Sequence, residues 1–423
     1  RLIECLSLLV NDYHYIILDL PAAMDREIIG MLNQSDLIHI LSSPDPLDLK
    51  RTNNLINRLK VDFNFDPQKI KIIINEYKLA KLNFSGQLEI LGQEIFATIP
   101  KINFDAPERL IIDQPDCEYS KAVKRISRQL GDCLVGLVLG VGVGYGFCHI
   151  GVLKVIEEEN IPIDIIAGSS IGALIASLWA IGKSSQEILE ITGEFKEPKH
   201  IWGLIDVTFP SLGFIKGNKF YRFLKKHLGD KTFYDVKLPL KVIASDVRRK
   251  EPKVLDKGLL VDAIMASCSM PGVFAPFKFK EEMLFDGGVT NPLPTEPLLK
   301  LGVKKIIAVN VTPSREDILR QLERLKSGTL SESAMDTRKS NPFGLLGRLK
   351  SIFNLNIIDN IFSSVEVLQS EVARQEGELA DIVLHPDTTG LFWLELHKAE
   401  EFARRGEVEA RKNLDKIWQL INE

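Results

Sequence analysis

Short apolar runs alternate with helix-like segments along most of the chain. A run of about four to eight apolar residues between turn residues is typical of a buried strand, whereas apolar residues at every third or fourth position indicate a helix. Near the start of the chain, the spacing between these runs leaves room for helices, as in a parallel α/β sheet. The strand-like runs of this region are residues 15–20, 37–41, 71–74 and 95–99.

The same alternation starts again after residue 132 and continues towards the end of the chain. Residues 313–342 interrupt it with a charged, serine-rich stretch, which predicts a mobile insertion. We therefore predict two α/β units, residues 1–130 and residues 133–423, with the insertion in the second unit. The strands expected in the second unit are residues 135–139, 163–167, 240–245, 305–311 and 382–384.

The composition excludes several classes of protein. Hydrophobic residues make up 45% of the chain and charged residues 26%, which is close to the globular average and unlike a disordered chain. The net charge of -4 offers no overall basic field, so we expect no nucleic-acid partner.

The cysteines and the apolar stretches bear on the compartment. The five cysteines are widely spread without C-x-x-C spacing, which favours free thiols in a reducing compartment over disulfides or a zinc site. The longest apolar stretch, residues 171–181, has about half the length that a membrane-spanning helix needs. The chain opens on Arg1 without a signal-peptide pattern, so we expect a piece of a longer, cytoplasmic protein.

One serine stands in a sequence context that favours nucleophilic catalysis. Gly168-Ser169-Ser170-Ile171-Gly172 matches G-x-S-x-G, between a strand-like run and a helix-like run. A strand, a tight turn and a helix are what a nucleophile elbow requires, with Gly168 and Gly172 permitting the turn and Ser170 exposed on it. The alternative is a glycine-rich turn whose serine only caps the helix.

A serine nucleophile needs a base, and Asp286 is the candidate. It precedes Gly287 and Gly288 in a predicted turn after a short apolar run. The alternative for Asp286 is an ordinary Asx turn. No histidine is an obvious triad partner, since His149 lies in a helix-like run where packing or capping is expected.

A glycine-rich loop follows the strand expected at residues 135–139. In Gly140-Val141-Gly142-Val143-Gly144-Tyr145-Gly146, the backbone N–H groups can hold a phosphate or an oxyanion, and the spacing of the glycines does not distinguish the two. A dinucleotide site is a further alternative, because Asp164 lies at a suitable distance along the chain, but the glycine pattern departs from G-x-G-x-x-G.

Taken together, these motifs resemble the bacterial patatin-like phospholipases, relatives of neuropathy target esterase, from about Cys133 to the end of the chain. The resemblance implies a patatin-like three-layer α/β/α domain and a hydrolase of phospholipid or lysophospholipid esters. It also implies a Ser-Asp dyad, with Ser170 as nucleophile and Asp286 as general base, and neither a metal nor a cofactor. The segments that carry it are residues 136–139, 149–154, 168–172, 266–274, 286–288 and 291–294.

The glycine-rich loop departs from the family pattern. The family's oxyanion loop, G-G-G-x-R-G, falls on Val141 to Gly146, so two glycines have become valine and the arginine has become Tyr145. The resemblance places the oxyanion hole at Gly142, Val143 and Gly144. Because the donors are main-chain amides, valine can supply them where φ is negative, and β-branched residues resist positive φ.

The first unit resembles the second half of a ParA/MinD-type ATPase, as a truncated parallel α/β unit. Asp19 falls where the magnesium-site aspartate would lie, but the nucleotide-binding P-loop is missing. The only Gly-Lys-Ser, at residues 182–184, is better interpreted as a helix end. We therefore expect a docking or regulatory module that binds no ATP.

Residues 343–362 form an apolar stretch with Arg348 and Lys350 interspersed, and two interpretations stay open. The stretch can engage a bilayer surface near the site, which would make the protein peripheral on the inner membrane surface, or it can be a core helix. Its apolar residues include Leu345, Leu346, Leu349, Ile352, Phe353 and Ile357.

Three functions remain under consideration. The leading one is a serine acyl hydrolase with a lipid or lysolipid substrate. The second is a catalytically impaired patatin-like domain that serves as a regulatory or membrane-binding scaffold, which the loop substitutions favour. The third is an ATP-driven partitioning protein, which requires a P-loop upstream of Arg1.

Overall fold

The chain consists of two units, Arg1–Ser127 and Arg128–Glu423, in a computed structural model. The structure describes residues 2–76, 82, 84–93, 95–102, 110–115, 117–195, 206, 215–246, 248–279, 281–314, 355–391 and 395–423.

A three-stranded parallel sheet organises the first unit, in the order β1-β2-β3. Its strands are β1 (Ile38–Ser42), β2 (Ile70–Asn75) and β3 (Ile95–Ile99). The helices are α1 (Leu2–Leu9), α2 (Arg26–Gln34), α3 (Pro46–Val61), α4 (Phe84–Leu91), α5 (Leu110–Asp113) and α6 (Glu118–Leu130), the last of which crosses the boundary between the units.

Helix α3 shows why this unit packs as it does. Asp45 caps its N-terminus by accepting a hydrogen bond from the Leu47 amide, and Pro46 at the first helical position is already in a helical φ range. The buried side chains of Leu49 and Ile56, one face of the helix, pack in a cluster with Ile72 and Ile74 of β2. The amphipathic pattern therefore buries one face of α3 against the sheet.

One predicted strand of the first unit is wrong. Residues 15–20 have no regular secondary structure, and the side chains of Tyr15 and Ile17 are 64% and 86% exposed. A strand needs a neighbouring backbone to take its hydrogen bonds, and in the described part of the chain β1 pairs with β2 alone. The apolar run is therefore strand-like in composition without having a partner strand.

The second unit contains an eight-stranded mixed sheet in the order β11-β10-β4-β5-β6-β9-β8, with β7 paired to β6. The first five strands of that order are parallel, and β7, β8 and β9 pair antiparallel. The strands are β4 (Val135–Leu139), β5 (Ile165–Ser169), β6 (Leu240–Asp246), β7 (Glu251–Leu255), β8 (Phe277–Phe279), β9 (Glu282–Asp286), β10 (Lys305–Val309) and β11 (Ile382–Leu384).

Both faces of this sheet are covered. Leu137 and Leu139 of β4 join one large core cluster, whereas Val138 between them joins a second. Alternate residues of a strand point to opposite faces, so the sheet lies between two layers and the unit has the expected α/β/α arrangement. Its helices are α7 (Cys148–Glu158), α8 (Ile171–Ala180), α9 (Ser185–Thr192), α10 (Asn218–Leu228), α11 (Leu260–Ser267), α12 (Thr295–Leu299), α13 (Leu355–Gly377), α14 (Ala399–Lys412) and α15 (Leu414–Asn422).

The predicted strands of the second unit are confirmed with shifted ends at three of them, and β6 is one residue longer than expected, ending at Asp246. The run at residues 163–167 begins its strand at Ile165 and continues to Ser169, and the run at residues 305–311 ends at Val309. The insertion at residues 313–342 lies outside the described residues except for its first two. Of the apolar stretch at residues 343–362, the structure describes only the backbone from Leu355, which begins α13. Within the described ranges, no helix has the length and apolarity to cross a membrane.

Candidate active site

Ser170 occupies a strained turn between β5 and α8. Its φ of 54° and ψ of -123° lie in a region that side chains rarely adopt, and such a residue costs about 1–3 kcal/mol. Ser170 stands at the N-cap of α8, yet its side chain makes no capping hydrogen bond. The helix-cap alternative for this serine is therefore wrong, and its hydroxyl is free for another partner.

The glycines around Ser170 are needed for close backbone contact. A Cβ on Gly172 would lie 2.2 Å from the Leu139 carbonyl oxygen at the end of β4. A Cβ on Gly168 would lie 2.6 Å from the carbonyl oxygen of Gly172. Real Cβ atoms do not approach backbone this closely, so both positions require glycine for the turn to pack against the sheet.

The partner of the Ser170 hydroxyl is Asp286. Ser170 Oγ donates to Asp286 Oδ2 at 2.7 Å, and the Gly288 amide donates to Asp286 Oδ1 at 2.8 Å. The two side chains are almost fully buried, with 8% of Ser170 and 2% of Asp286 exposed. The Asp286 carboxylate thus accepts one hydrogen bond within its own turn and a second from the serine, so it is more than an ordinary Asx turn.

The edges of β6 explain why these two residues meet. Strand β7 occupies one edge of β6 over residues 242–246, so β5 and β9 share the other edge. On that edge, Ser169 pairs with Ile243 and Asp286 pairs with the next residue, Ala244. Strand β9 therefore ends where β5 ends, and the turn after β5 brings Ser170 against Asp286.

Gly287 and Gly288 follow in the same turn, in close contact with neighbouring groups. A Cβ on Gly287 would lie 2.3 Å from the Ile243 carbonyl oxygen. A Cβ on Gly288 would lie 2.6 Å from Gln369 Nε2 and 2.9 Å from Val141 Cγ1. The structure thus brings the Asp-Gly-Gly turn, the glycine-rich loop and α13 together.

Burial raises the pKa of Asp286 to about 6, although the hydrogen bonds from Ser170 and Gly288 favour the ionised carboxylate and lower it. A carboxylate with this pKa is ionised at neutral pH, yet it is basic enough to accept a proton from a hydroxyl during a reaction. The site therefore places a serine hydroxyl beside a carboxylate that is basic enough to accept its proton.

Ser267 is a site residue that the sequence reasoning missed. Its Oγ accepts a hydrogen bond from the Ser170 amide at 2.9 Å and donates to the Ile243 carbonyl oxygen at 2.5 Å. It thereby ties the strained Ser170 backbone to β6. The motif at residues 266–274, which contains it, was a signal in the sequence, but nothing in the pattern indicated this contact.

The thiol of the next residue, Cys268, also lies at this site. Burial raises the pKa of Cys268, and the nearby Asp286 carboxylate raises it further. The thiol is therefore protonated at neutral pH, which makes it a poor nucleophile.

The glycine-rich loop leads from β4 into a short 3-10 helix, Val143–Phe147, which precedes α7. The first amides of a helix have no partner within it, so those of Val143 and Gly144 are suited to binding an anion. The Val141 amide is not available for this, because it donates to the Pro292 carbonyl oxygen at 2.9 Å. Gly142 is the N-cap of this helix.

Val143 has a φ of 46°, in the left-handed region. A β-branched side chain disfavours positive φ, but the negative φ expected at this valine is not observed. The backbone of the loop at Val143 therefore has a conformation that is typical of glycine, and this conformation is strained for valine.

Tyr145, at the family's arginine position, is buried. Its ring packs edge-on against Phe402 of α14 at a centroid distance of 5.9 Å, and its hydroxyl donates to the Leu391 carbonyl oxygen at 3.4 Å. The residue therefore fixes the loop by packing rather than by charge.

The other candidates from the sequence have structural roles. Asp164, the candidate acid for a dinucleotide, is buried and accepts hydrogen bonds from Arg128 and from the Val135 amide, so its carboxylate is already engaged. Ser184 of the Gly-Lys-Ser segment caps α9 in a capping box with Glu187, as the helix-end interpretation predicts. Within the described ranges, no group of three or more His, Cys, Asp or Glu side chains could hold a metal ion.

Comparisons with known proteins point to one family. Residues 137–299 match the family model described as patatin-like phospholipase. The chain is 30% identical to neuropathy target esterase sws of Drosophila melanogaster over 211 residues, covering 49% of this chain and 15% of that protein. It is 31% identical to lysophospholipase NTE1 of Candida albicans over 261 residues, covering 61% and 18% respectively.

The chain thus spans less than a fifth of the length of these curated relatives. They are eukaryotic proteins, so the bacterial affiliation expected from the sequence stays a prediction. Among solved structures, the chain is similar to VipD from Legionella pneumophila, with 13% identity, a TM-score of 0.36 and 67% of each chain covered. It is also similar to the type III effector ExoU, with 13% identity, a TM-score of 0.32 and coverage of 69% and 54%.

The strain at Val143 predicts a stabilising substitution. Val143→Gly should raise the free energy of unfolding by about 1 kcal/mol, because it removes about 1–3 kcal/mol of strain and adds about 1 kcal/mol of glycine entropy in the unfolded chain. Val141→Gly is the matched control, since Val141 is buried and is not among the residues with positive φ. That variant should be destabilised by about 2–4 kcal/mol. Chemical denaturation measures both, and a destabilised Val143→Gly would contradict the strain.

The raised pKa of Asp286 predicts a gain in stability on removing its charge. The folded protein holds a proton on Asp286 up to about pH 6, above the pKa of 3.8 for an ordinary aspartate, so stability falls as pH rises between these values. Asp286→Asn should therefore raise the free energy of unfolding at pH 7 by about 1–3 kcal/mol, and the gain should vanish below about pH 4.

Asp164→Asn is the control for this prediction, because Arg128 pairs with that buried carboxylate. It should be destabilised at pH 7. Thermal or denaturant melts of both variants across pH 4–8 measure the difference, and a loss of stability in Asp286→Asn at pH 7 would be inconsistent with a desolvated carboxylate.

Proposed function

We propose that the chain, whose residues 137–299 match the patatin-like phospholipase family model, is a serine acyl hydrolase that cleaves carboxylic esters of phospholipids or lysophospholipids. The observation that carries the proposal is the 2.7 Å hydrogen bond from Ser170 Oγ to Asp286 at a strained elbow. The relatives named lysophospholipase support a lipid ester as the substrate class.

In the first half of the proposed reaction, Ser170 Oγ attacks the acyl carbonyl carbon and its proton passes to Asp286 Oδ2. The resulting oxyanion accepts hydrogen bonds from main-chain amides of the loop at Gly142, Val143 and Gly144. The intermediate collapses, Asp286 gives the proton to the leaving alkoxide oxygen, and an acyl-serine remains.

In the second half, a water molecule attacks the acyl-serine while Asp286 accepts its proton. Collapse of the second intermediate releases the fatty acid, and the proton returns from Asp286 to Ser170 Oγ. No histidine takes part, because one carboxylate with a pKa of about 6 serves as base in one half-reaction and as acid in the other.

Removing either member of the dyad should abolish turnover. We expect Ser170→Ala and Asp286→Asn each to lower kcat on a p-nitrophenyl ester by at least about ten thousandfold, because nucleophile and base act as a unit. Both variants should still unfold cooperatively. Ser169→Ala is the matched control, since within the described residues the buried Ser169 Oγ has no hydrogen-bond partner. Full activity in either dyad variant would remove the assignment.

The second candidate function is a catalytically impaired scaffold, which the strained Val143 favours. If Val143 keeps its amide on the oxyanion, Val143→Gly should change turnover by less than about threefold, because the donor is already in place. If the amide points away, restoring glycine should raise turnover by about a hundredfold or more, since one oxyanion donor is worth about 10²–10³. The ratio of the two kcat values therefore separates a working hydrolase from a scaffold.

We also propose peripheral contact with the inner membrane surface through the apolar stretch at residues 343–362. The alternative for this stretch is a helix in the core of its own domain. Leu345→Ser with Leu349→Ser should then lower activity on anionic vesicles by about tenfold or more without changing hydrolysis of a soluble ester. Val408→Ser, at an exposed position of α14, is the control. Equal losses on vesicles and on the soluble ester would support the core helix.

For the first unit we propose a docking or regulatory role. Asp19, at the position of the magnesium-site aspartate, is exposed in the irregular segment that follows α1. Residues 1–18 contain no P-loop sequence, and ATP binding needs the amides and the lysine of such a loop.

A further inference from the structure

His149 is fully buried in the first turn of α7, and it contacts the loop proposed to form the oxyanion hole. Its Nε2 lies 2.8 Å from the Gly140 carbonyl oxygen. A carbonyl oxygen only accepts hydrogen bonds, so Nε2 carries the hydrogen and donates it. Nδ1 is then an acceptor, and in the described part of the chain it has no hydrogen-bond partner. Within the described residues, the one hydrogen bond of the His149 ring therefore goes to the glycine-rich loop.

The peptide unit between Gly140 and Val141 is hydrogen-bonded at both its carbonyl and its N–H group. The Gly140 carbonyl accepts from His149, and the N–H of the same peptide unit, on Val141, donates to the Pro292 carbonyl oxygen at 2.9 Å. The Gly140 amide donates to the Val309 carbonyl oxygen at 3.1 Å. Three hydrogen bonds therefore fix the entry of the loop, and the peptide plane between Gly140 and Val141 cannot rotate without breaking two of them.

The loop needs this restraint because of Val143. A β-branched residue at a φ of 46° is strained, and such strain persists only where the surrounding structure holds the backbone in place. Without a restraint, the backbone would rotate towards negative φ and turn the following amides away. The valine at this position therefore makes the loop conformation depend on its anchors.

The helix that carries His149 is itself rigidly held. A Cβ on Gly406 of α14 would lie 1.8 Å from the Cys148 carbonyl oxygen, and a Cβ on Gly151 would lie 1.7 Å from the Ala403 carbonyl oxygen. The two helices thus pack backbone against backbone at the start of α7. An anchor on this turn has little freedom to move with the loop.

We infer that His149 is a positioning residue whose Nε2–H hydrogen bond to Gly140 holds the strained Val143 loop with its amides directed at the acyl oxyanion. The inference rests on the proposed acyl hydrolase function. His149 does not touch the substrate in this account, and it acts only through the backbone of the loop.

The first test compares two side chains of similar length at position 149. His149→Met removes the donor, and we expect it to lower kcat about ten- to a hundredfold with little change in KM, because only stabilisation of the transition state is lost. His149→Gln restores an N–H donor at the position of Nε2, and it should recover most of that loss. Thr192→Val, which removes a buried hydroxyl hydrogen bond to the Leu189 carbonyl on α9, controls for general destabilisation.

The second test asks whether His149 acts through Val143. Glycine tolerates positive φ without strain, so His149→Met in a Val143→Gly background should lower kcat by less than about threefold. The same test compares the thermal midpoints of four proteins: the parent chain, the two single variants and the double variant. Val143→Gly should raise the midpoint by about 2 °C when His149 is present, and it should not raise it in the His149→Met background. In that variant the loop has already relaxed.

Equal kcat losses in His149→Met and His149→Gln would overturn the inference, as would the same thermal gain from Val143→Gly in both backgrounds. The thermal comparison does not depend on turnover. A parent chain that is inactive on every ester would therefore remove the proposed function while the coupling between His149 and Val143 could still be decided.

Discussion

The geometry of the site depends on how β6 shares its edges. Because β7 covers one edge of β6, β5 and β9 meet end to end on the other, with Ser169 and Asp286 paired to adjacent residues of β6. This arrangement sets a serine hydroxyl and a carboxylate from segments 116 residues apart at 2.7 Å, within a buried environment. The same burial raises the pKa of the Asp286 carboxyl, so one topological constraint provides both the contact and the raised pKa.

Two residues with a strained backbone belong to the candidate site, one on the turn after β5 and one on the glycine-rich loop. Ser170 and Val143 both have positive φ, and a hydrogen bond from a buried side chain reaches the backbone of each segment, at Ser170 itself and at Gly140 of the loop. The hydroxyl of Ser267 holds the Ser170 amide, and the His149 ring holds the carbonyl at the entry of the loop. Strain of this kind is maintained where the surroundings determine the backbone.

The sequence predicted the parallel strands, since buried runs such as residues 135–139 carry a strong local signal. It also predicted Ser170 and Asp286 as partners, through the motifs and the family resemblance. It failed where the outcome depended on a distant partner. Residues 15–20 have strand composition but, among the residues that the structure describes, no strand to pair with, and the contact of Ser267 with Ser170 joins segments 97 residues apart. The positive φ at Val143 could not be predicted either, because local preference disfavours it and tertiary contacts impose it.

We propose that Asp286, with its raised pKa, activates Ser170. The most direct measurement is the second-order rate of labelling by a fluorophosphonate from pH 4 to pH 8, with the adduct mapped by peptide mass spectrometry. We expect a single adduct on Ser170, a labelling rate that falls as pH drops through about 6, and a loss of that pH dependence in Asp286→Asn together with most of the rate. Labelling of another serine, or a rate at Ser170 that Asp286→Asn leaves unchanged, would contradict the claim.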